Sequence, residues 1–367
     1  MLRLVMLVSD LEGCPALLHT IGQMHPAEIF EHRDIADADL KSADLVLVDL
    51  ADASDSDLAG VRDAIAGAPT VLSIGLVRAG NRRDKVQADA LGLGRIWSRT
   101  RPVKDALREI DLQFGSYAQP DLPASTPQQT ARSVQAMSAA LGECATAVVS
   151  ETLLPLAQVA RAVDDTLDAF RLDGMDAWIS AVQMHHSHTY CHSMLVTGYA
   201  LAFADVLGLS ESERALLGAA ALLHDVGKVY IPLSILDKPA KLTEEEFEII
   251  RQHPIRSREI LEAQPHVSQA VIDIAVHHHE YLDGSGYPDG LKGDEISRAV
   301  RMLTICDIYA ALIEKRAYKP AYSPRQAYGV LVDLGKKIDQ PLLKSFRSVA
   351  FEVDKAASVK RKASAFG

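Results

Sequence analysis

The crowding of histidine onto apolar segments is what most constrains this chain. Ten of its thirteen histidines fall between His185 and His279, where an even spread over 367 residues would leave roughly three. His188 and His192, four apart, share a helical face with Leu195, Tyr199 and Phe203, so both should point inward. His224 and Asp225 close the apolar run Ala219–Leu223, and His253 falls on a helix expected after Thr243. His278 and His279 are adjacent, and Asp307 sits within the apolar segment Leu303–Leu312. Taken singly, each is an ordinary core histidine or an interior acceptor. As a set, five imidazoles and two carboxylates on apolar faces leave several costly groups without partners unless metal is bound. Imidazole and carboxylate without thiolate favour iron or manganese, with nickel or zinc as alternatives, and two carboxylates permit a bridged pair of divalent ions.

Charge narrows the class. With 38 Lys and Arg against 49 Asp and Glu, the net charge of −11 excludes an extended basic surface for nucleic acid or anionic lipid, though not a local basic pocket. At 48% hydrophobic and 24% charged residues, the chain has material for two or three cores. No stretch approaches the roughly 20 apolar residues of a membrane span, and the amino terminus lacks a basic-then-apolar signal, so a cytoplasmic location is expected. Cys14, Cys144, Cys191 and Cys306 form no C-x-x-C pair, which points to reduced thiols. Cys191 and Cys306 adjoin two candidate ligands, but adjacency on a helix turns side chains apart, so both read as small core residues.

The spacing predicts a two-domain fold. Over residues 1–115 apolar runs alternate with helical segments, the pattern of a doubly wound parallel sheet, with strands expected at Leu2–Val8, Leu45–Leu50 and Thr70–Leu76. Asp10 and Asp49 then stand at carboxyl ends of strands, the edge where such sheets form sites. Residues 116–126 read as a linker. Thr126 and Pro127 mark a helix start, and helices extend to residue 171 with a kink at Pro155. These connecting helices either form a homodimeric stalk or pack on the next domain. From residue 172 to 367 the pattern is all-α. Ser210 with Glu213 and Thr243 with Glu246 have capping-box spacing, so helices should begin at about residues 211 and 244. Glu244, Glu245 and Glu246 read as a solvated first turn.

The first 115 residues resemble the receiver domain of two-component signalling, with Ala43–Asp49 at the phosphoacceptor strand and Thr100–Val103 near the end. That resemblance makes Asp49 the candidate phosphoacceptor. Ser9 stands where receivers carry one of two magnesium-binding acids, and Arg101 where they carry lysine, a non-neutral exchange. A docking or regulatory role is therefore preferred to phosphotransfer.

A second resemblance covers about half the chain. His224-Asp225-Val226-Gly227-Lys228, Ile231-Pro232 and His278-His279-Glu280-Tyr281-Leu282-Asp283-Gly284-Ser285-Gly286-Tyr287-Pro288 are similar to the motifs of HD-GYP proteins, a subgroup of HD-domain phosphohydrolases. Leu291-Lys292-Gly293 and Arg316-Ala317-Tyr318-Lys319 follow in the family's order. The resemblance implies an all-α HD-domain bundle that hydrolyses cyclic di-GMP to pGpG and, in many members, to GMP. It places His192, His224, Asp225 and Asp307 around one ion and His253, His278 and His279 around a second, with Asp225 bridging. His188 stands where some members carry a glutamate for a third metal. Lys228, Arg316 and Lys319 fall at phosphate-contacting positions, Tyr287 contacts ligand or anchors its loop, and that loop implies GGDEF-domain proteins as partners. Two such ions would lower the pKa of a bridging water enough to give hydroxide for in-line attack. Asp225 and Lys228 are the expected catalytic residues. Ala310 replaces an aspartate usual in the family. His185, His186 and His277 match no ligand, and His186 is expected nearest the site. The rival readings are a low-turnover adaptor binding nucleotide or a cyclase, and a hydrolase of another cyclic dinucleotide; retention of the whole two-metal set favours the enzyme.

Overall fold

The computed structural model describes residues 2–11, 13–25, 27–114, 122–185, 188–231, 233–236, 238, 241–314 and 321–351. It divides into two compact units, Met1–Tyr117 and Ala118–Gly367.

The first unit is built on five parallel strands, β1 (Leu4–Val8), β2 (Ala27–Glu31), β3 (Leu45–Asp49), β4 (Leu72–Val77) and β5 (Arg95–Ser98), in the order β2-β1-β3-β4-β5. Helices α1 (Ala16–Met24), α2 (Asp55–Ala66), α3 (Arg82–Ala90) and α4 (Val103–Phe114) alternate with them. Side chains alternate across each strand, so Val5, Leu7, Val46 and Val48 enter one apolar layer while Leu4, Met6, Leu45 and Leu47 enter the other. Both faces being covered, β1 and β3 are continuous apolar runs, which is why their sequence is legible. The sequence gives no comparable signal for β2 and β5. They are the two edge strands, with sequences AEIFE and RIWS, and of their residues only Trp97 is fully buried. The order reverses between β1 and β3, and Asp10 and Asp49 stand at that switch.

The second unit is helical. Its elements are α5 (Gln128–Val149), α6 (Leu156–Leu172), α7 (Met175–Val182), α8 (His188–Val206), α9 (Glu211–Leu223), α10 (Leu233–Leu236), α11 (Glu244–Arg251), α12 (His253–Glu262), α13 (Gln269–Val276), α14 (Arg298–Ile313) and α15 (Pro324–Asp333), and residues 340–351 are also helical. Capping boxes at Ser210 and Thr243 open α9 and α11 where expected, and Glu244 and Glu245 are exposed. α5 begins one residue later than expected, with Pro127 at the cap and no side-chain capping bond. Asp173 replaces the Thr126 hydroxyl: its carboxylate accepts from the Thr130 N–H at 2.7 Å and Oγ1 at 3.0 Å. Between α5 and α6 the helix breaks rather than kinks.

One core runs from Val134 and Met137 of α5 through Trp178, Met194, Leu195 and Tyr199 to Leu303, Tyr309 and Phe346. α8 is buried on nearly every side, so its polar residues face protein. Gly198 is required there: a Cβ would come within 2.4 Å of the Trp178 ring. No helix among the described residues is long and apolar enough to cross a membrane.

Candidate metal centre

Five parts of the helical unit bring the charged and imidazole groups together. α8 contributes His192; the end of α9 and the turn after it contribute His224 and Asp225; α12 opens with His253; the segment after α13 carries His278 and His279; α14 carries Asp307. The ligand-capable atoms of His192, His224 and Asp307 lie within 4.8 Å of one another, as do those of His253, His278 and His279. Asp225 stands between the two groups. Its Oδ2 is 3.2 Å from His224 Nε2 and 3.7 Å from His192 Nε2, while its Oδ1 is 3.2 Å from His253 Nε2 and 4.0 Å from His278 Nε2. Asp307 reaches both sides as well, with Oδ1 2.9 Å from His192 Nε2 and Oδ2 3.4 Å from His279 Nδ1.

Local backbone sets the ring orientations. His224, His253 and His278 each donate Nδ1–H to the carbonyl three residues back: Ala221 at 2.7 Å, Ile250 at 2.8 Å and Ala275 at 2.6 Å. Since a carbonyl only accepts, the proton is fixed on Nδ1 and the Nε2 lone pair faces the centre, the form in which imidazole binds metal. Burial holds His253 and His278 well below the ordinary imidazole range and brings His279 down to about 4. Burial also opposes ionisation of Asp225 and Asp307, yet the surrounding imidazoles, together with Lys228 for Asp225, keep both carboxyls ionised. For His224 burial is outweighed by Asp225, and a proton there competes for the place of a cation.

The donor set fits divalent ions. His224 Nε2 and Asp225 Oδ1 are buried with no hydrogen-bond partner among the described residues, and both face the centre. Two nitrogen-rich triads sharing a carboxylate and holding no thiolate suit borderline to hard divalent cations.

The supporting loops pack closely. Gly227 sits where a Cβ would lie 2.2 Å from the His253 carbonyl oxygen, so only glycine lets the turn after Asp225 meet α12. There Ser257 accepts from the Gly227 N–H at 2.9 Å and donates to the His224 carbonyl at 3.0 Å. Gly286 is equally constrained: a Cβ there would lie 2.4–2.5 Å from the backbone of Glu280 and its two neighbours. Glu280, to which sequence reasoning gave no role, is buried and accepts backbone N–H bonds from Asp289, Gly290 and Leu291 at 2.7, 2.9 and 3.1 Å. Its carboxylate thus shapes the loop that presents Tyr287, whose ring lies 4.7 Å from that of His279 and beneath the Arg251 guanidinium at 4.8 Å.

Other expected residues are placed differently. Lys228 is partly exposed, with Nζ 2.6 Å from Asp225 Oδ2. His188 opens α8, but its side chain, like His186, Arg316 and Lys319, lies outside the described residues. His277 faces away, bonded to Asp289 at 2.9 Å, and His185 pairs with Ser138 at 2.8 Å. Cys191 and Cys306 are buried. In the first unit Asp49 is buried and meets Arg99, whose Nε lies 3.0 Å from Oδ1. Arg101, singled out from the sequence, stacks instead on Trp97 at 4.5 Å and pairs with Glu109 at 2.7 Å.

Residues 176–342 match the family described as HD domain. Over 184 residues the chain is 36% identical to a cyclic di-GMP phosphodiesterase of Pseudomonas aeruginosa, covering 50% of this chain and 44% of that protein. Over 231 residues it is 34% identical to the 3′3′-cGAMP-specific phosphodiesterase 3 of Vibrio cholerae, covering 62% of this chain and 48% of the relative. The chain therefore spans under half the length of either. An HDG"Y"P protein from Bdellovibrio bacteriovorus has a similar fold, with a TM-score of 0.50 at 15% identity over 73% of this chain and 81% of that one.

Proposed function

We propose that the chain, whose residues 176–342 match the family described as HD domain, is a metal-dependent phosphodiesterase that hydrolyses cyclic di-GMP to pGpG, with GMP as the alternative end product. The observation that carries this is Asp225, one buried carboxylate whose two oxygens face two separate imidazole groups. His192, His224 and Asp307 would hold one divalent ion and His253, His278 and His279 the other, with Asp225 shared. When bound, such ions supply Lewis acidity toward a phosphodiester and a water nucleophile near neutral pH.

The chain's own residues do the rest. The Nδ1 bonds to Ala221, Ile250 and Ala275 hold three imidazoles preorganised, so little reorganisation is needed when substrate arrives. Lys228, beside Asp225 and partly exposed, is placed to meet a non-bridging phosphate oxygen, with Arg316 and Lys319 as further cations. Tyr287, whose ring packs beside His279, would contact the ligand or anchor its loop. Water adds to phosphorus, the ribose 3′ oxygen departs with a proton, and the ring opens to a linear dinucleotide.

Likeness to a 3′3′-cGAMP-specific relative makes that dinucleotide the second candidate substrate. For the amino-terminal unit we assign a receiver-like regulatory or docking role, supported by the strand order with Asp10 and Asp49 at its switch. Arg99 on Asp49 places a fixed guanidinium where phosphotransfer would need room for a metal ion. To test the activity, purified chain loaded anaerobically with Fe(II) or Mn(II) is given each dinucleotide and the products are resolved by chromatography. pGpG formed faster than any cGAMP product is expected. Absence of turnover with metal bound would favour the adaptor.

A further inference from the structure

His192 differs from the other buried imidazoles of the centre. His224, His253 and His278 each have a backbone carbonyl on Nδ1. His192 lies within α8, where the carbonyls are engaged in the helix, and its Nδ1 is buried with no hydrogen-bond partner among the described residues. The acidic group facing that nitrogen is Glu314, whose Oε2 is 3.8 Å away. Glu314 is 3% exposed and caps the carboxyl end of α14, the helix that also carries Asp307. Asp307 Oδ1 meets the opposite edge of the same ring, 2.9 Å from Nε2. Seven residues apart on one helix, Asp307 and Glu314 have backbones about two turns, roughly 10 Å, apart along the axis, and their carboxylates approach the two nitrogens of His192.

We infer that Glu314 is the positioning residue for His192, doing through a carboxylate what the three carbonyls do for the other rings. A carboxylate facing Nδ1 favours the proton there and leaves the Nε2 lone pair toward Asp307 and Asp225. At 3.8 Å the two groups face each other beyond hydrogen-bond distance. This inference rests on the two-ion reading of the centre, and it assigns Glu314 to the His192–His224–Asp307 side alone.

The test measures release of divalent metal from the full chain by graded chelator, for wild type, Glu314→Gln and Glu314→Leu, with far-UV circular dichroism on each sample. One of the two ions should be held about 10- to 100-fold more weakly in Glu314→Leu. Glu314→Gln, which keeps an acceptor and the side-chain shape, should recover part of that loss, and the second ion should be released as in wild type. Wild-type retention of both ions in both variants, or equal weakening of both ions, overturns the assignment. A wild-type protein that binds no divalent ion defeats the two-ion reading itself, a separately visible outcome.

Discussion

At Asp225 a single carboxylate serves two groups of imidazoles, so its removal should be felt at both. Asp225→Asn keeps the size and one acceptor but loses the charge. It should abolish hydrolysis and empty the centre while thermal melting still reports a folded helical unit; full activity in this variant would contradict the shared role. Asp49 gives a prediction of a different kind. Burial pushes its carboxyl up to about 6, with Arg99 pulling the other way. A carboxyl raised above its ordinary 3.8 binds its proton more tightly when folded. The stability it contributes is therefore fully present below about pH 4 and lost as pH rises through about 6, on the order of 2–3 kcal/mol. Asp49→Asn should remove that dependence and leave basal hydrolysis unchanged, measured by pulse proteolysis in urea with the surviving fragment identified by mass. The histidines and aspartates of the centre were legible because their motifs are contiguous or fall at helical spacing. Glu314 and Arg99 were not, because each meets a partner from a different element, and Glu280 was not, because its partners are backbone N–H groups brought to it by the turn of its own loop.

Among the elements, the strongest constraints come from missing side chains. A methyl group at Gly227 would strike the His253 carbonyl, and backbone cannot rotate out of the way. Gly227→Ala should displace the start of α12, cost about 3 kcal/mol and weaken metal retention together. Denaturation and chelator release would show whether the two losses travel together. Glu280→Ala removes the acceptor of three backbone N–H groups and should loosen the Tyr287 loop. A several-fold rise in KM is expected with metal content intact; a loss of metal instead would place Glu280 in the centre itself. Helix starts at Ser210 and Thr243 were readable because a capping box is local chemistry. The start of α5 was misread by one residue because its cap comes from Asp173, 43 positions away from Thr130. Edge strands β2 and β5 escaped notice because partial burial asks little of their sequence.

For the whole molecule, a net charge of −11 describes the outside, whereas a phosphodiester would meet Lys228 and any cations the imidazole and carboxylate groups hold. All seven candidate ligands and the core that supports them lie in the second unit. A chain of residues 118–367 should accordingly keep its basal rate within roughly threefold of the full chain, as expected for a unit with its own core. A collapse of activity on removing residues 1–117 would mean that the first unit sets the catalytic state. The most direct test of the two-ion phosphodiesterase is the ratio of bound divalent metal to protein, measured on the same aerobic and anaerobic samples whose cyclic di-GMP hydrolysis is followed. Turnover should rise with occupancy and reach its maximum at two ions per chain, whereas full turnover in metal-stripped protein, or no turnover with both sites filled, would contradict it.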